Sequence, residues 1–134
     1  MREIIFRGKR VDNGEWVKGF YACVLDTHYI ITGRFDSLTN GIINSEAYKV
    51  DPSTASQFTG LTDRNGVKIF EGDIVKYTDW WAEWSGAVKY DSADAEFIVQ
   101  LTDNDIEYFS NLYCGNCEVI GNIYDNPELL EVSE

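Results

Sequence analysis

Short runs of alternating apolar and polar residues, separated by turn-forming residues, recur along the whole chain. This spacing is typical of half-buried β-strands, whose side chains point alternately to the two faces of a sheet. The pattern predicts strands at residues 2–7, 15–25, 28–35, 67–70, 74–77, 86–90, 95–101 and 117–124, with a short strand around 48–50. The chain is therefore predicted to be mainly β.

Turn-forming residues separate these strands. Gly14 and Gly66 end the two strongest predicted turns, at residues 12–14 and 63–66, because an Asn-Gly pair tolerates the positive φ that a tight hairpin needs. Residues 26–27 are predicted as a further hairpin tip and residues 36–45 as a loop.

Helical structure is predicted only as short turns. Asp51 and Pro52 can cap and begin a turn of helix within residues 51–58, because Asp is a good N-cap and Pro fits the first helical position. A second helical turn is predicted at residues 126–130.

Many short strands with frequent turns indicate a barrel or a sandwich. The strands from about residue 67 to residue 124 have the number and length to close a small five-stranded barrel. We expect an N-terminal β-meander at residues 1–50 and the barrel at residues 51–134, packed as one compact unit. Residues 36–52 are the candidate boundary.

Charge is distributed unevenly along the 134 residues, whose formal net charge is −12. Residues 1–89 contain 12 acidic and 11 basic residues, whereas residues 90–134 contain 11 acidic residues and no basic residue. An acidic surface keeps a small β domain soluble and its sheet edges unpaired. The alternative is a surface for a basic partner, including a decoy that imitates nucleic acid. Phosphate backbones would be repelled by this segment, which argues against binding to nucleic acid.

The N-terminus lacks the apolar core of a signal peptide, and no apolar run reaches membrane-spanning length. The three cysteines cannot form a complete set of disulfides. A reducing cytoplasm, with no membrane attachment, is therefore the expected compartment.

Catalytic and cofactor motifs are missing from the sequence. His28 is the only histidine, which disfavours most base-assisted nucleophiles, and there is no glycine-rich phosphate loop. Cys114 and Cys117 form a Cys-x-x-Cys pair that, with Cys23 and His28 on one face of a hairpin, could make a Cys₃His metal site. The simpler interpretation is a hairpin turn between two strand cysteines. We expect no enzyme activity, cofactor or metal.

Aromatic residues are concentrated near the middle of the chain. Trp80, Trp81 and Trp84 lie within five residues, and Tyr77 and Tyr90 are nearby. This cluster could cap the open end of the barrel, form an interface between copies of the chain, or bind a ligand, since Trp is enriched at binding hot spots and stacks on nucleobases.

Four stretches of the sequence carry a family resemblance. They are MREIIFRGK at residues 1–9, GEWVKG at 14–19, QFTGLTDRNGVKIFEGDIV at 57–75 and EVIGNIYDNPELL at 118–130. In content and order they resemble the YopX family of phage and prophage proteins. The resemblance implies an SH3-like barrel in the C-terminal part, a phage or prophage origin and action inside a bacterial host. It implies no catalytic residues.

We therefore expect a non-enzymatic accessory protein that binds copies of itself, and possibly a host or phage protein. One alternative is an acidic decoy or inhibitor of a host protein that handles nucleic acid. The other is a single-stranded nucleic-acid binder. Its basic side chains would be those of Arg2, Arg7, Lys9, Arg10 and Lys18, with indoles for stacking.

Overall fold

The computed structural model describes residues 3–36, 38, 41–101, 105–109 and 114–130. Eleven strands and three short 3₁₀ helices lie in these ranges. The strands are β1 Phe6–Lys9, β2 Trp16–Val24, β3 Thr27–Asp36, β4 Gly41–Lys49, β5 Ser56–Thr62, β6 Lys68–Phe70, β7 Asp73–Thr78, β8 Glu83–Asp91, β9 Glu96–Leu101, β10 Ile106–Tyr108 and β11 Cys117–Asn122. The prediction of a mainly β chain is confirmed.

The chain divides into two compact units, Met1–Phe58 and Thr59–Glu134. The division lies within β5, a short way beyond the boundary suggested by the sequence. In the first unit the strand order is β4-β3-β2-β1-β5, and all the pairs are antiparallel. The first three strands each pair with the next one along the chain, as in a meander, whereas β5 pairs with β1.

The predicted loop at residues 36–45 was wrong, because β4 occupies Gly41–Lys49 and pairs along β3. The prediction followed the Asn, Gly and Ser residues of this stretch. The exposed edge of β3 needs partners for its N–H and C=O groups, and this tertiary demand outweighs local propensity. The hairpin tip between β2 and β3 is at Leu25 and Asp26, which both have positive φ.

The helical turns are 3₁₀ rather than α-helical, and the turn predicted within residues 51–58 is shorter than predicted, because residues 56–58 belong to β5. Pro52–Thr54 is a 3₁₀ helix, and the Asp51 side chain caps it by accepting a hydrogen bond from the backbone N–H of Ser53. The chain then enters β5 at Ser56. The C-terminal turn is also a 3₁₀ helix, Pro127–Leu130, and the third is Cys114–Asn116.

In the second unit, β6 is hydrogen-bonded to β5. A separate five-stranded antiparallel sheet has the order β10-β9-β8-β7-β11. Its core is formed by Ile69, Val75, Val88 and Val99, which are all essentially inaccessible to solvent. Among the described strands no pairing joins β10 to β11, so the sheet is open as described and closure into a barrel is not confirmed.

Two buried carboxylates fix the turns of this unit. Asp63 accepts hydrogen bonds from the backbone N–H groups of Asn65, Val67 and Val119 at 2.8–2.9 Å. Asp73 accepts one from the N–H of Phe70 at 2.8 Å. Both side chains satisfy backbone donors where the chain reverses, so their positions serve the fold.

Candidate functional site

The turn between β7 and β8 is organised by one aspartate. Asp79 Oδ1 accepts hydrogen bonds from the backbone N–H groups of Trp81 and Ala82, at 2.8 and 2.7 Å. Its Oδ2 accepts one from the Tyr77 hydroxyl at 2.7 Å, and its own N–H donates to the Ala82 carbonyl. The Tyr77 hydroxyl and the two N–H groups hold the pKa of Asp79 below its usual value. The turn is therefore a defined structure.

This turn presents two indoles to solvent. Trp80 is 96% exposed and Trp81 is 92% exposed. A shallow cavity of about 390 Å³ lies beside Trp80 and is lined also by Thr78, Asp79 and Asn116. Two adjacent exposed tryptophans next to a concavity are typical of a binding surface. We call the segment from Asp79 to Ala82 the indole turn.

The other three aromatic residues of the predicted cluster have structural surroundings. Trp84 is half-buried against the core, and its ring stacks on that of Tyr77, its cross-strand partner, with centroids 5.0 Å apart. Tyr90 is 48% exposed and makes an edge contact with Phe97 at 5.3 Å. Of the five residues, Trp80 and Trp81 are thus exposed, Tyr77 and Trp84 pack against each other, and Tyr90 lies near the end of β8.

Tyr90 lines a second open cavity, of about 360 Å³, with Glu71, Gly72, Lys89 and Tyr124 among its neighbours. Partial burial raises the pKa of the Glu71 carboxyl. No sequence motif indicates this cavity, because its residues come from three separate segments of the chain.

The predicted metal ligands fall in both units. Cys23 and His28, which the sequence predicts on one face of a hairpin, are directly opposite each other on β2 and β3, with Sγ 3.9 Å from Nε2. The Tyr21 hydroxyl contacts the other ring nitrogen, Nδ1. Cys117 is buried, and the Cys114 side chain is outside those described. No group of three or more metal-binding side chains occurs among the described residues.

A second surface lies on the first unit. The register places Arg7 opposite Lys18, Lys9 opposite Trp16 and Tyr29 opposite Lys49. Opposed residues of an antiparallel pair point to the same face, as do alternate residues of one strand. These relations put basic and aromatic side chains on one face, which we call the basic sheet face: Arg7, Lys9, Trp16, Lys18, Phe20, Tyr29 and Lys49. The apolar residues Ala22, Ile31 and Ala47 lie on the same face.

Rings and cations are close together on the basic sheet face. The Arg7 guanidinium and the Lys9 ammonium lie 4.8 and 5.5 Å from the centroid of the Trp16 ring. Arg7 also donates a hydrogen bond from Nε to Ser56 Oγ. Phe20 is 57% exposed in the middle of its strand. Its cross-strand partner on β3 is Ile31, so the exposed ring has an apolar neighbour across the strand and Lys18 two residues before it on the same face.

The basic residues named from the sequence do not all belong to this face. Arg10 forms an ion pair with Asp12 at 2.6 Å and lies over the Tyr48 ring, and Arg2 is outside the described residues. Lys49, Phe20 and Tyr29 were missed. Their membership depends on the pairing of β2, β3 and β4, which local sequence does not fix.

A family model described as YopX protein matches residues 5–131, nearly the whole chain. The chain belongs to the YopX family. The resemblance of the four sequence stretches is thereby confirmed. The YopX motif around residues 57–75 contains Asp63 and Asp73, the two carboxylates that hold backbone turns. The indole turn lies outside the four stretches.

Among solved structures the chain is similar to protein EF1440 from Enterococcus faecalis, known from a crystal structure. The two chains are 27% identical, the similarity covers 98% of this chain and 100% of that chain, and the TM-score is 0.55. No curated protein matches the chain. In the described part of the chain, no helix has the length and apolar character needed to cross a membrane. The comparisons thus give a YopX family fold without an activity.

Proposed function

We propose that the chain is a non-enzymatic interaction module that associates with copies of itself through the indole turn. The observation that supports this proposal is the exposure of Trp80 and Trp81, above nine-tenths for both, on a turn fixed by four hydrogen bonds to or from Asp79. Trp is one of the residue types enriched at binding hot spots.

The turn is well suited to bury its indoles at low entropic cost. Each buried Trp removes about 150–250 Å² from water. Because the backbone of the turn is already held by Asp79, little further ordering is needed when a partner covers the rings, and such preorganisation favours affinity. The two indoles form the apolar centre of the proposed interface between copies of the chain.

A second copy is the occupant that these features favour. The acidic groups that flank the indoles have partners within the hairpin: Asp79 holds the turn, and Glu83 pairs with Lys76 at 3.1 Å. The cavity beside Trp80 offers a recess for an aromatic ring of the opposing turn. Two identical turns can therefore meet across a two-fold axis with each ring entering the recess of the other.

The family resemblance supports an accessory role for a phage or prophage, inside the bacterial host cell. It also supports an SH3-like arrangement of the strands in the second unit, which we include in the proposal. Small β modules of this type commonly bind through the loops between their strands. No reaction is part of the proposed role.

The test is native mass spectrometry and sedimentation over a range of protein concentrations. Wild-type protein should form dimers or larger species. The W80A/W81A double variant should remain monomeric at concentrations at which wild type associates. Leu25→Ala is the matched control, because Leu25 is also an apolar residue exposed on a hairpin tip, at 94%, but in the other unit.

The Asp79→Ala variant is a second arm, which keeps both indoles but removes the hydrogen bonds that organise the turn. It should associate more weakly than wild type. A wild-type protein that stays monomeric at the highest concentration, or association that survives in W80A/W81A, would contradict the proposal.

A further inference from the structure

We propose that the basic sheet face binds single-stranded nucleic acid. This inference concerns the first unit and goes beyond self-association through the indole turn. It rests on the spacing of the aromatic rings, on the charge of the face and on the exposure of Phe20.

The aromatic rings are spaced as a stacking platform. Trp16, Lys18 and Phe20 are alternate residues of β2, so ring, cation and ring follow one another at about 6.6 Å along one face. Tyr29 lies on β3 diagonal to Phe20, within reach of a long side chain. Single strands are bound without sequence preference by aromatic side chains that stack on bases beside a basic track for the backbone.

The charge of the face is positive although the charge of the protein is strongly negative. Residues 1–58 contain seven acidic and seven basic residues, so the excess of acid is in residues 59–134, with 16 acidic and four basic. Among the described strand positions that the register assigns to the basic sheet face, four are basic and none is acidic; Arg7 is buried, Lys9 is half-buried, and Lys18 and Lys49 are exposed. At physiological salt, charges more than about 8 Å apart are largely screened from each other. A ligand at this face is therefore affected mainly by the charges of the face itself.

An acidic protein surface is the competing occupant. Such a surface would use the same cations, and exposed aromatic rings also occur in protein interfaces. The succession of ring, cation and ring along β2, with Tyr29 diagonal to Phe20, favours a ligand that carries both negative charge and flat rings. This combination is a property of a single nucleic-acid strand, whose unpaired bases are free to stack.

The experiment is fluorescence anisotropy with a labelled oligothymidylate of about 16 nucleotides, the upper end of the site sizes of single OB folds. The proteins compared are wild type, Phe20→Ala, K18Q/K49Q and the control K68Q/K89Q, which removes two charges from the second unit. Phe20→Ala should weaken binding at least about fivefold, the loss of one stacked base. K18Q/K49Q should weaken binding and reduce the dependence of log K on log salt by about 0.7 for each lost phosphate contact.

Both Lys18 and Lys49 are exposed, so their replacement leaves the core untouched, and thermal melts of all variants verify folding. Absence of binding at low salt would overturn the proposal, as would equal losses in K68Q/K89Q and K18Q/K49Q. A third result would also overturn the proposal: wild type binds no oligonucleotide, and K18Q/K49Q loses self-association. That result would assign the face to an acidic protein surface. W80A/W81A should bind like wild type, which separates this test from that of the indole turn.

Discussion

At the scale of single residues, Asp63 shows how a buried charge can serve the fold. Its side chain is only 6% exposed, and it accepts three backbone hydrogen bonds from two distant parts of the second unit. Burial by itself would raise the pKa of this carboxyl. The N–H groups of Val119, Val67 and Asn65 outweigh burial and hold the pKa below its usual value.

Replacing Asp63 with Asn should destabilise the protein by about 1–3 kcal/mol, because an amide nitrogen cannot accept the hydrogen bonds that one carboxylate oxygen accepts. Urea unfolding at neutral pH measures the loss. Asp94→Asn, in an exposed turn, is the control and should change the free energy of unfolding by less than about 0.5 kcal/mol.

The same variant has a defined pH dependence. A carboxyl whose pKa is lowered by folding stabilises the protein fully above its unfolded pKa, about 3.9, and loses this contribution as pH falls through the lower folded value. The difference between wild type and Asp63→Asn should therefore shrink below about pH 4. A difference that is constant down to pH 2 would show that the charge of Asp63 is irrelevant.

The division of the tryptophans shows a limit of residue-level prediction. Sequence identifies Trp80, Trp81 and Trp84 as a group but cannot say which of them face solvent. Alternation assigns faces only within a strand, and β8 begins at Glu83, which makes Trp84 the cross-strand partner of Tyr77. Trp80 and Trp81 precede that point, and their exposure is set by the side chain of Asp79.

At the scale of elements, glycine-containing turns fix where strands end. Gly66 and Gly72 both have positive φ, at 79° and 88°. A Cβ on Gly66 would meet nothing within 4 Å, whereas one on Gly72 would lie 2.9 Å from Cε2 of Tyr124. The two turns thus differ in packing, although both glycines have a positive φ.

Alanine at each position should separate the two effects. Gly66→Ala should cost about 1–2 kcal/mol, the price of a left-handed conformation for an L-residue. Gly72→Ala should cost more, because the Tyr124 ring must also move. Equal midpoints of the two variants in urea unfolding would show that the Tyr124 contact contributes nothing.

Sequence periodicity predicted most strands to within a few residues, because their apolar positions alternate and Gly14 and Gly66 mark turns. It failed at β4. Residues 36–45 are rich in turn formers, and their strand depends on pairing with β3 across a bulge between Thr32 and Arg34. Pairing between strands is a tertiary property. For the same reason, the sequence alone does not predict which residues share the basic sheet face.

At the scale of the whole molecule, net charge conceals a difference between the units. Residues 1–58 are balanced, and residues 59–134 have a net charge of −12. Self-repulsion of such a unit opposes its compact state and is weakened by salt, since the Debye length falls from about 30 Å at 0.01 M to about 8 Å at 0.15 M.

Added NaCl should therefore raise the thermal midpoint of the second unit more than that of the first. Tryptophan fluorescence can follow each unit separately. A variant with the other three tryptophans replaced by Phe reports on the first unit through Trp16, and Trp16→Phe reports only on the second unit. A gain of 1 kcal/mol corresponds to about 4–8 °C in a unit of this size. Equal shifts from both reporters would contradict the prediction.

The division of the chain inside β5 has a practical consequence for work with half of the protein. A fragment that stops at Phe58 or starts at Thr59 would contain a severed strand. The broken end would offer unpaired backbone groups as a template for other chains, so such halves should aggregate or exchange strands. A well-behaved fragment has to retain Ser56–Thr62 intact.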